Sequence, residues 1–221
     1  MPKIPLEKRL KRNIHKKTAL AQDLLMEIVY THFSQAVIHG GTAIWRCYSG
    51  NRFSEDIDVY IPKRFDREDV FNSFLNSLKA KGFLVKKFKT TANSIFSKFE
   101  MTGAEVRFEA VFKNIENFIV KPFELSDGTF MNVYTLPPED LLVEKILAYK
   151  NRKKIRDFYD IWFLLNIAAD ITGIKINLKD VLDKFEEPKD YDTLKALIIF
   201  GAVPTFQNLV DGVRTWAKKN M

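Results

Sequence analysis

Cysteine is almost absent from this 221-residue chain. Cys47 stands alone, with only His15, His32 and His39 as further soft or borderline ligands, so neither an intrachain disulfide nor a Cys/His zinc cluster can be assembled. A lone thiol fits a reducing compartment, and a cytoplasmic location is the expectation. Glycine and proline are also sparse, at 9 and 8 residues, which excludes fibrous and low-complexity classes. Long apolar runs are missing as well. The stretch from Ile161 to Ile174 carries Asn166 and Asp170, and the one around Ile199 meets Pro204. Neither reaches the ~18 residues a membrane helix requires. The amino terminus, Met-Pro-Lys-Ile-Pro followed by dense charge, has no apolar segment of the kind a secretory signal needs. A soluble, unexported protein with no membrane partner is expected.

What is present is apolar mass and positive charge. Hydrophobic residues make up 46% and aromatics 13%, enough to offset the ordering entropy that keeps polar chains unfolded. The length suits one generous domain or two small ones without metal or disulfide support. Net charge is +7, and the basic residues are clumped in Lys8-Arg9-Leu10-Lys11-Arg12, Lys16-Lys17, Lys86-Lys87-Phe88-Lys89 and Arg152-Lys153-Lys154-Ile155-Arg156. Any one such run can be a solvated helix face. Together they point to a polyanionic partner.

Apolar spacing along the chain predicts an amphipathic helix from Thr18 to about Phe33, then a short buried strand Ala36-Val37-Ile38. His39-Gly40-Gly41-Thr42 follows and opens a helix over residues 43–48. Residues 52–61 end in an alternation of acidic and apolar residues typical of a half-buried strand, stopped by Pro62. A helix from about Asp66 to Lys81 is closed by Gly82. Strands are expected at 83–89, 94–101, 105–112 and around 129–135. The third alternates cleanly, with Val106, Phe108, Ala110 and Phe112 on one face and Arg107, Glu109 and Val111 on the other. Leu136-Pro137-Pro138-Glu139-Asp140 starts a helix to about Lys150. Helical segments continue at about 154–168, 178–185, 191–200 and 206–219. The expectation is an α+β fold: a sheet-bearing domain over 1–135 with a basic amino-terminal arm, then a helical domain over 136–221.

The sharpest chemical pattern is Gly40-Gly41 followed, fifteen residues after Gly41, by Asp56-Ile57-Asp58. Residues i and i+2 of a strand point to one side, so the two aspartates stand roughly 6.5 to 7 Å apart. Adjacent carboxylates repel, and a divalent cation relieves the repulsion; hard oxygen donors suit Mg²⁺, completed by water and substrate phosphates. A third carboxylate from a neighbouring strand would permit a two-metal arrangement for in-line phosphoryl displacement. Glu109 is the candidate, with Glu105 as its competitor. The diglycine permits close backbone approach to a phosphate, and the helix behind it offers unpaired N–H groups. Thr42 adds a hydroxyl. His39, beside the glycines, reads as a hydrogen-bonded structural residue, and the tryptophans as core.

Gly40-Gly41-Thr42-Ala43 with Arg52-Phe53-Ser54-Glu55-Asp56-Ile57-Asp58 closely resembles the signature of the AbiEii/AbiGii toxin family of nucleotidyltransferases, within the DNA polymerase β-like superfamily. Pro138-Glu139-Asp140-Leu141-Leu142-Val143-Glu144-Lys145-Ile146-Leu147-Ala148-Tyr149, and then Arg152, Lys154 and Arg156-Asp157-Phe158-Tyr159-Asp160-Ile161, are similar to its later motifs. The likeness spans roughly residues 20 to 165.

The resemblance implies that Gly40, Gly41 and Thr42 hold the triphosphate, that Asp56 and Asp58 carry Mg²⁺, and that Lys145 and Asp157 complete the active site from the helical part. Lys145 would bind phosphate as a point charge. Arg52 and Ser54, which precede the strand, are expected to reach the phosphates or to fix the loop, and Asp160 is expected to cap or to pair with Arg156 or a neighbouring lysine. The reading is a Mg²⁺-dependent enzyme moving a nucleoside monophosphate from a nucleoside triphosphate to an acceptor hydroxyl. The basic clumps favour RNA, and toxin members of the family suggest the 3′ end of tRNA, with an antitoxin as partner. The rivals are an enzyme of the same fold that nucleotidylates protein, and a degenerate, non-enzymatic module that binds RNA or a partner.

Overall fold

The computed structural model describes residues 4–170 and 172–220. The chain divides into two compact units: Met1–Ser49 with Phe53–Thr135, and Gly50–Arg52 with Leu136–Met221. The first holds helices α1 (Leu6–Arg9), α2 (Asn13–His32), α3 (Gly40–Cys47) and α4 (Glu68–Ala80). Its strands are β1 (Val37–His39), β2 (Ile57–Ile61), β3 (Leu84–Thr90), β4 (Ser94–Met101), β5 (Ala104–Phe112), β6 (Ile119–Glu124) and β7 (Phe130–Thr135). They form one mixed sheet in the order β3-β4-β5-β2-β1-β7-β6. β2 runs parallel to β5 and β1 parallel to β7, and the remaining pairs are antiparallel.

Alternation decides which face is covered. In β5, Ala104, Val106, Phe108, Ala110 and Phe112 are buried, and in β4 Ile95, Ser97, Phe99 and Met101 are buried. This face packs against α2 and α4. Phe74 of α4 lies 5.6 Å from Phe108 and 6.1 Å from Phe99 between ring centroids, and Phe71 lies 6.0 Å from Phe112. Each such ring, once buried, contributes on the order of 1.5–3 kcal/mol. The other residues of these strands, Ser94, Phe96, Lys98 and Glu100 of β4 and Glu105, Arg107, Glu109 and Val111 of β5, lie on the opposite, open face and retain partial or full exposure.

The second unit is helical: α5 (Pro138–Arg152), α6 (Ile155–Leu165), α7 (Lys175–Asp183), a 3-10 turn Tyr191–Thr193, α8 (Leu194–Leu197) and α9 (Phe206–Asn220). Pro138 opens α5, where its missing N–H costs nothing. Lys153 in the left-handed conformation, φ 49°, ends α5 and separates it from α6. The helix expected over 191–200 stops at Leu197, because Ile198 turns extended and bridges Arg52, while the Ile199 N–H donates to the Asn51 carbonyl. The architecture is α+β, as the order of elements implied. No helix among the described residues is long and apolar enough to cross a membrane.

Two further departures have simple causes. α2 begins at Asn13, not Thr18: the Lys16-Lys17 run is the helix's outer face, with Thr18 donating its hydroxyl to the Ile14 carbonyl within the helix. β6 gave no sequence signal because it contains Pro122 and does not alternate, its inward residues being the consecutive pair Phe123-Glu124. As an edge strand it tolerates the proline.

Inside the first unit a buried ion pair ties α2 to α3. Arg46 is fully buried and donates to Asp23 and, at 3.1 Å, to the Ala19 carbonyl; its guanidinium lies 4.6 Å from the Trp45 ring and 4.8 Å from that of Phe123. The second Asp23 oxygen accepts the Ser126 N–H at 2.8 Å. Burial works against the Arg46 charge, and Asp23 is its chief opposing influence. Removing the carboxylate strands a buried cation. Asp23→Ala is therefore expected to cost about 3–5 kcal/mol, lowering the thermal midpoint by roughly 6–20 °C; scanning calorimetry of the full chain checks this.

Candidate active site

Register brings together carboxylates that are far apart in sequence. In the parallel pair, Asp58 of β2 stands directly beside Glu109 of β5, and on the other side of β2 it faces His39 of β1. Asp56, one pair earlier on the same face, is level with Arg107. The Arg107 guanidinium grips Asp56 with two hydrogen bonds, 2.7 and 2.6 Å. Asp56, Asp58 and Glu109 thus share one patch of the open face. Burial raises the Glu109 carboxyl above the usual range, and the Asp58 charge raises it further. Burial opposes the Arg107 charge, but Asp56, helped by Glu109 and Asp58, outweighs it and holds the guanidinium above its ordinary value. Mutual repulsion of the acids is thus balanced by an arginine from the same sheet. Sequence reading passed over Arg107, although its place two residues before Glu109 on a cleanly alternating strand put it on the same face.

The diglycine has a steric role toward this patch. Gly40 takes φ +71°, and a Cβ on it would come within 2.5 Å of the Asp58 carboxylate oxygen Oδ2. Only glycine lets that carboxylate rest against the first turn of α3. Thr42 was expected at the triphosphate. It is instead fully buried, and its hydroxyl donates to the Asp56 carbonyl, fixing the segment that carries the first aspartate. Ser54 is likewise buried, with its carbonyl accepting from Gln22 at 2.9 Å. His39 stacks on Tyr60 with ring centroids 4.0 Å apart, and the Lys113 ammonium lies 5.3 Å from that ring.

Lys145, Asp157, Arg52 and Asp160 belong to the second unit, where they form a chain of alternating charge. Arg52 donates two hydrogen bonds to Asp160, each 2.8 Å. Lys145 reaches the same carboxylate at 2.8 Å and Asp157 at 4.0 Å. Asp157 in turn accepts two hydrogen bonds of 2.6 Å from Arg152. Of the two roles expected for Arg52, phosphate contact or fixing the loop, its guanidinium buried on Asp160 matches the second. The partners of Asp160 are Arg52 and Lys145, not Arg156. Burial pushes the Asp160 carboxyl up, but Arg52 and Lys145 together hold it below the usual range.

A carboxyl whose folded pKa is depressed stabilises the protein above its unfolded pKa, and that contribution disappears as pH falls through the folded value. At pH 7, Asp160→Asn should cost about 3–5 kcal/mol by leaving Arg52 and Lys145 without their shared partner. Below about pH 4, where the unfolded carboxyl begins to hold its proton, the gap from wild type should narrow. Thermal midpoints of both proteins from pH 7 to pH 3 test this, and a constant gap would count against the ion-pair account.

Comparison with known proteins bears on the family and the fold. The profile of the family described as "Nucleotidyl transferase AbiEii toxin, Type IV TA system" matches residues 23–207. No curated protein matches. Among solved structures, JHP933 from Helicobacter pylori is similar over 91% of this chain and 92% of its own, with TM-score 0.61 and 21% identity. MenT4, a nucleotidyltransferase toxin from Mycobacterium tuberculosis H37Rv, is similar over 92% of this chain and 83% of its own, with TM-score 0.59 and 16% identity. At these identities the likeness shows a shared fold, and the extent of the family match shows membership: the chain belongs to the AbiEii family of nucleotidyltransferase toxins.

Proposed function

We propose that this enzyme transfers a nucleoside monophosphate from a nucleoside triphosphate to the 3′-terminal hydroxyl of tRNA, in the cytoplasm, as the toxin of a toxin–antitoxin pair with a cognate antitoxin as partner. The observation that carries the reading is the row of acids on the open sheet face, Asp58 beside Glu109 with Asp56 one step away, against the glycine that opens α3. Three carboxylates make an oxygen donor set suited to Mg²⁺, with the His39 imidazole, stacked on Tyr60, beside Asp58. As the side chains stand, no group of three such ligands among the described residues is drawn together around one point. Arg107 holds Asp56 in two hydrogen bonds, and for Asp56 to join the other two acids around a cation that grip would have to loosen. Asp56, Asp58 and Glu109 would then hold the cation.

A divalent cation held there would neutralise triphosphate oxygens and the charge that develops at the α-phosphorus. The protein's own contribution is placement. Gly40 and Gly41 keep the backbone low enough for a phosphate to approach the first N–H groups of α3. Thr42 and Ser54 act as positioning residues, holding the strand entrance from inside. The acceptor hydroxyl oxygen bonds to the α-phosphorus while pyrophosphate departs and the hydroxyl proton is released. Because the carboxylates are fixed by sheet register, little reorganisation accompanies the charge shift.

Incubation of the purified chain with total tRNA and each α-labelled nucleoside triphosphate tests the proposal. Label is expected at the RNA 3′ end with one or a few of the nucleotides, and Asp58→Asn should reduce transfer at least about 100-fold, the scale of removing one group that stabilises the transition state, with an unchanged thermal midpoint. Label on polypeptide with none on RNA would replace the acceptor, and undiminished turnover by Asp58→Asn would refute the carboxylate site.

A further inference from the structure

The open sheet face continues beyond the acids into a strip of different chemistry. Strand register places Lys89 of β3 beside Phe96 of β4, and Phe96 beside Glu109 of β5, which stands beside Asp58. In the neighbouring row Lys87 stands beside Lys98, and Lys98 beside Arg107. With strands about 4.8 Å apart, Phe96 sits one strand from Glu109 and two from Asp58. Phe96 is 43% exposed, although its neighbours in β4, Ile95 and Ser97, are buried.

A β-bulge creates this face. Pairing shifts between Val85 and Lys87, so that Lys86 is the extra residue. Without it Phe88 would fall on the open face and Lys87 on the core face. With it Phe88 turns inward, 6.1 Å from Phe71 between ring centroids, and both Lys87 and Lys89 turn outward. Lys86 pairs with Glu100 and Lys98 with Glu105. Lys87 and Lys89 make no ion pair among the described residues. The clump at the end of α5 is more engaged: Arg152 binds Asp157, Lys153 binds Glu186 and Lys154 lies 3.5 Å from Asp190; in the amino-terminal clump Arg9 binds Glu124.

We propose that this strip, Phe96 with Lys87, Lys89 and Lys98, is the seat of the unpaired 3′ end of an RNA acceptor, a base stacking on Phe96 and backbone phosphates lying along the lysines of β3 and β4. The inference rests on the RNA-acceptor reading above and adds the residues that select it. An exposed aromatic ring flanked by cations matches a single strand, since stacking needs an unpaired base and the charges follow a phosphate backbone. Lys87 and Lys89 hold phosphates at the β3 edge, and Phe96, one strand from Glu109 and two from Asp58, seats a base between them and the acids, so that the terminal nucleoside is carried toward the acids with its hydroxyl leading.

The test uses the full chain and a short, unstructured, fluorescently labelled RNA, with binding followed by anisotropy across a salt series. Phe96→Ala is expected to weaken binding about 5- to 100-fold, and Phe96→Trp to restore it. Lys87→Glu/Lys89→Glu should weaken binding and reduce the magnitude of the salt slope by about 0.7 for each phosphate no longer neutralised. All three variants change exposed side chains and should keep the wild-type thermal midpoint. In transfer assays both defects should appear in KM for RNA, with nucleoside triphosphate binding measured separately at its wild-type value. Wild-type RNA affinity and salt slope in Phe96→Ala and in the lysine variant would overturn the strip, even with transfer to RNA established. Label on polypeptide with no RNA binding by the wild type would instead remove the reading beneath it. Polyglutamate bound as tightly as RNA, with binding abolished in the lysine variant but not in Phe96→Ala, would make the face a protein-docking surface and also overturn the proposal.

Discussion

Parallel pairing of β2 with β5 is the constraint on which the candidate site depends. It is non-local, joining residues about fifty positions apart, and it sets Asp58 beside Glu109 with their side chains on one face. A slip of β2 by one residue would send Asp58 to the core face and bring Ile57 out into water, and a slip of β5 would do the same to Glu109 and Phe108. The core prevents that slip: Ile57, Val59 and Ile61 of β2 and Val106, Phe108 and Ala110 of β5 are all buried on the opposite face. The energy that fixes the acids is thus hydrophobic and lies on the opposite side of the sheet from them.

Close-set carboxylates carry an electrostatic cost, and the fold meets it differently in its two units. On the open face Arg107 grips Asp56 in a pair partly open to water, where a cation arriving from solvent can compete. In the second unit Asp157 and Asp160 are buried and locked among Arg52, Lys145 and Arg152. There the geometry holds α5, α6 and the short segment Gly50–Arg52 in register. Removing one member leaves an uncompensated charge in a dry setting, which is far more damaging than loosening an exposed pair.

Much of the first unit was legible in the sequence because alternation is a local signal. β4 and β5 announced themselves by buried residues at every second position, and the same pattern placed Glu109 outward. The signature segments around Gly40-Gly41 and Asp56–Asp58 were legible as a motif. Register was not legible, since neighbours across strands leave no trace in one chain. The pairing of Arg107 with Asp56 and of Phe96 with Glu109 therefore had to come from the structure. So did the bulge at Lys86, which converts a basic run with an embedded phenylalanine into a face. Thr42 and Arg52 show a different limit: a motif records that a residue type is needed, while its partner decides whether it meets substrate or holds the frame. β6 stayed hidden because a proline-bearing edge strand has no periodicity to read.

The central claim is that Asp56, Asp58 and Glu109 form one cation site held shut by Arg107. Titration of the full chain with Mn²⁺, followed by electron paramagnetic resonance, tests it most directly. Glu109→Gln should weaken binding by at least about 10-fold, no less than the loss of an outer partner costs a metal site, and Arg107→Gln should tighten binding by removing the internal competitor. Wild-type Mn²⁺ affinity in both variants would contradict the claim.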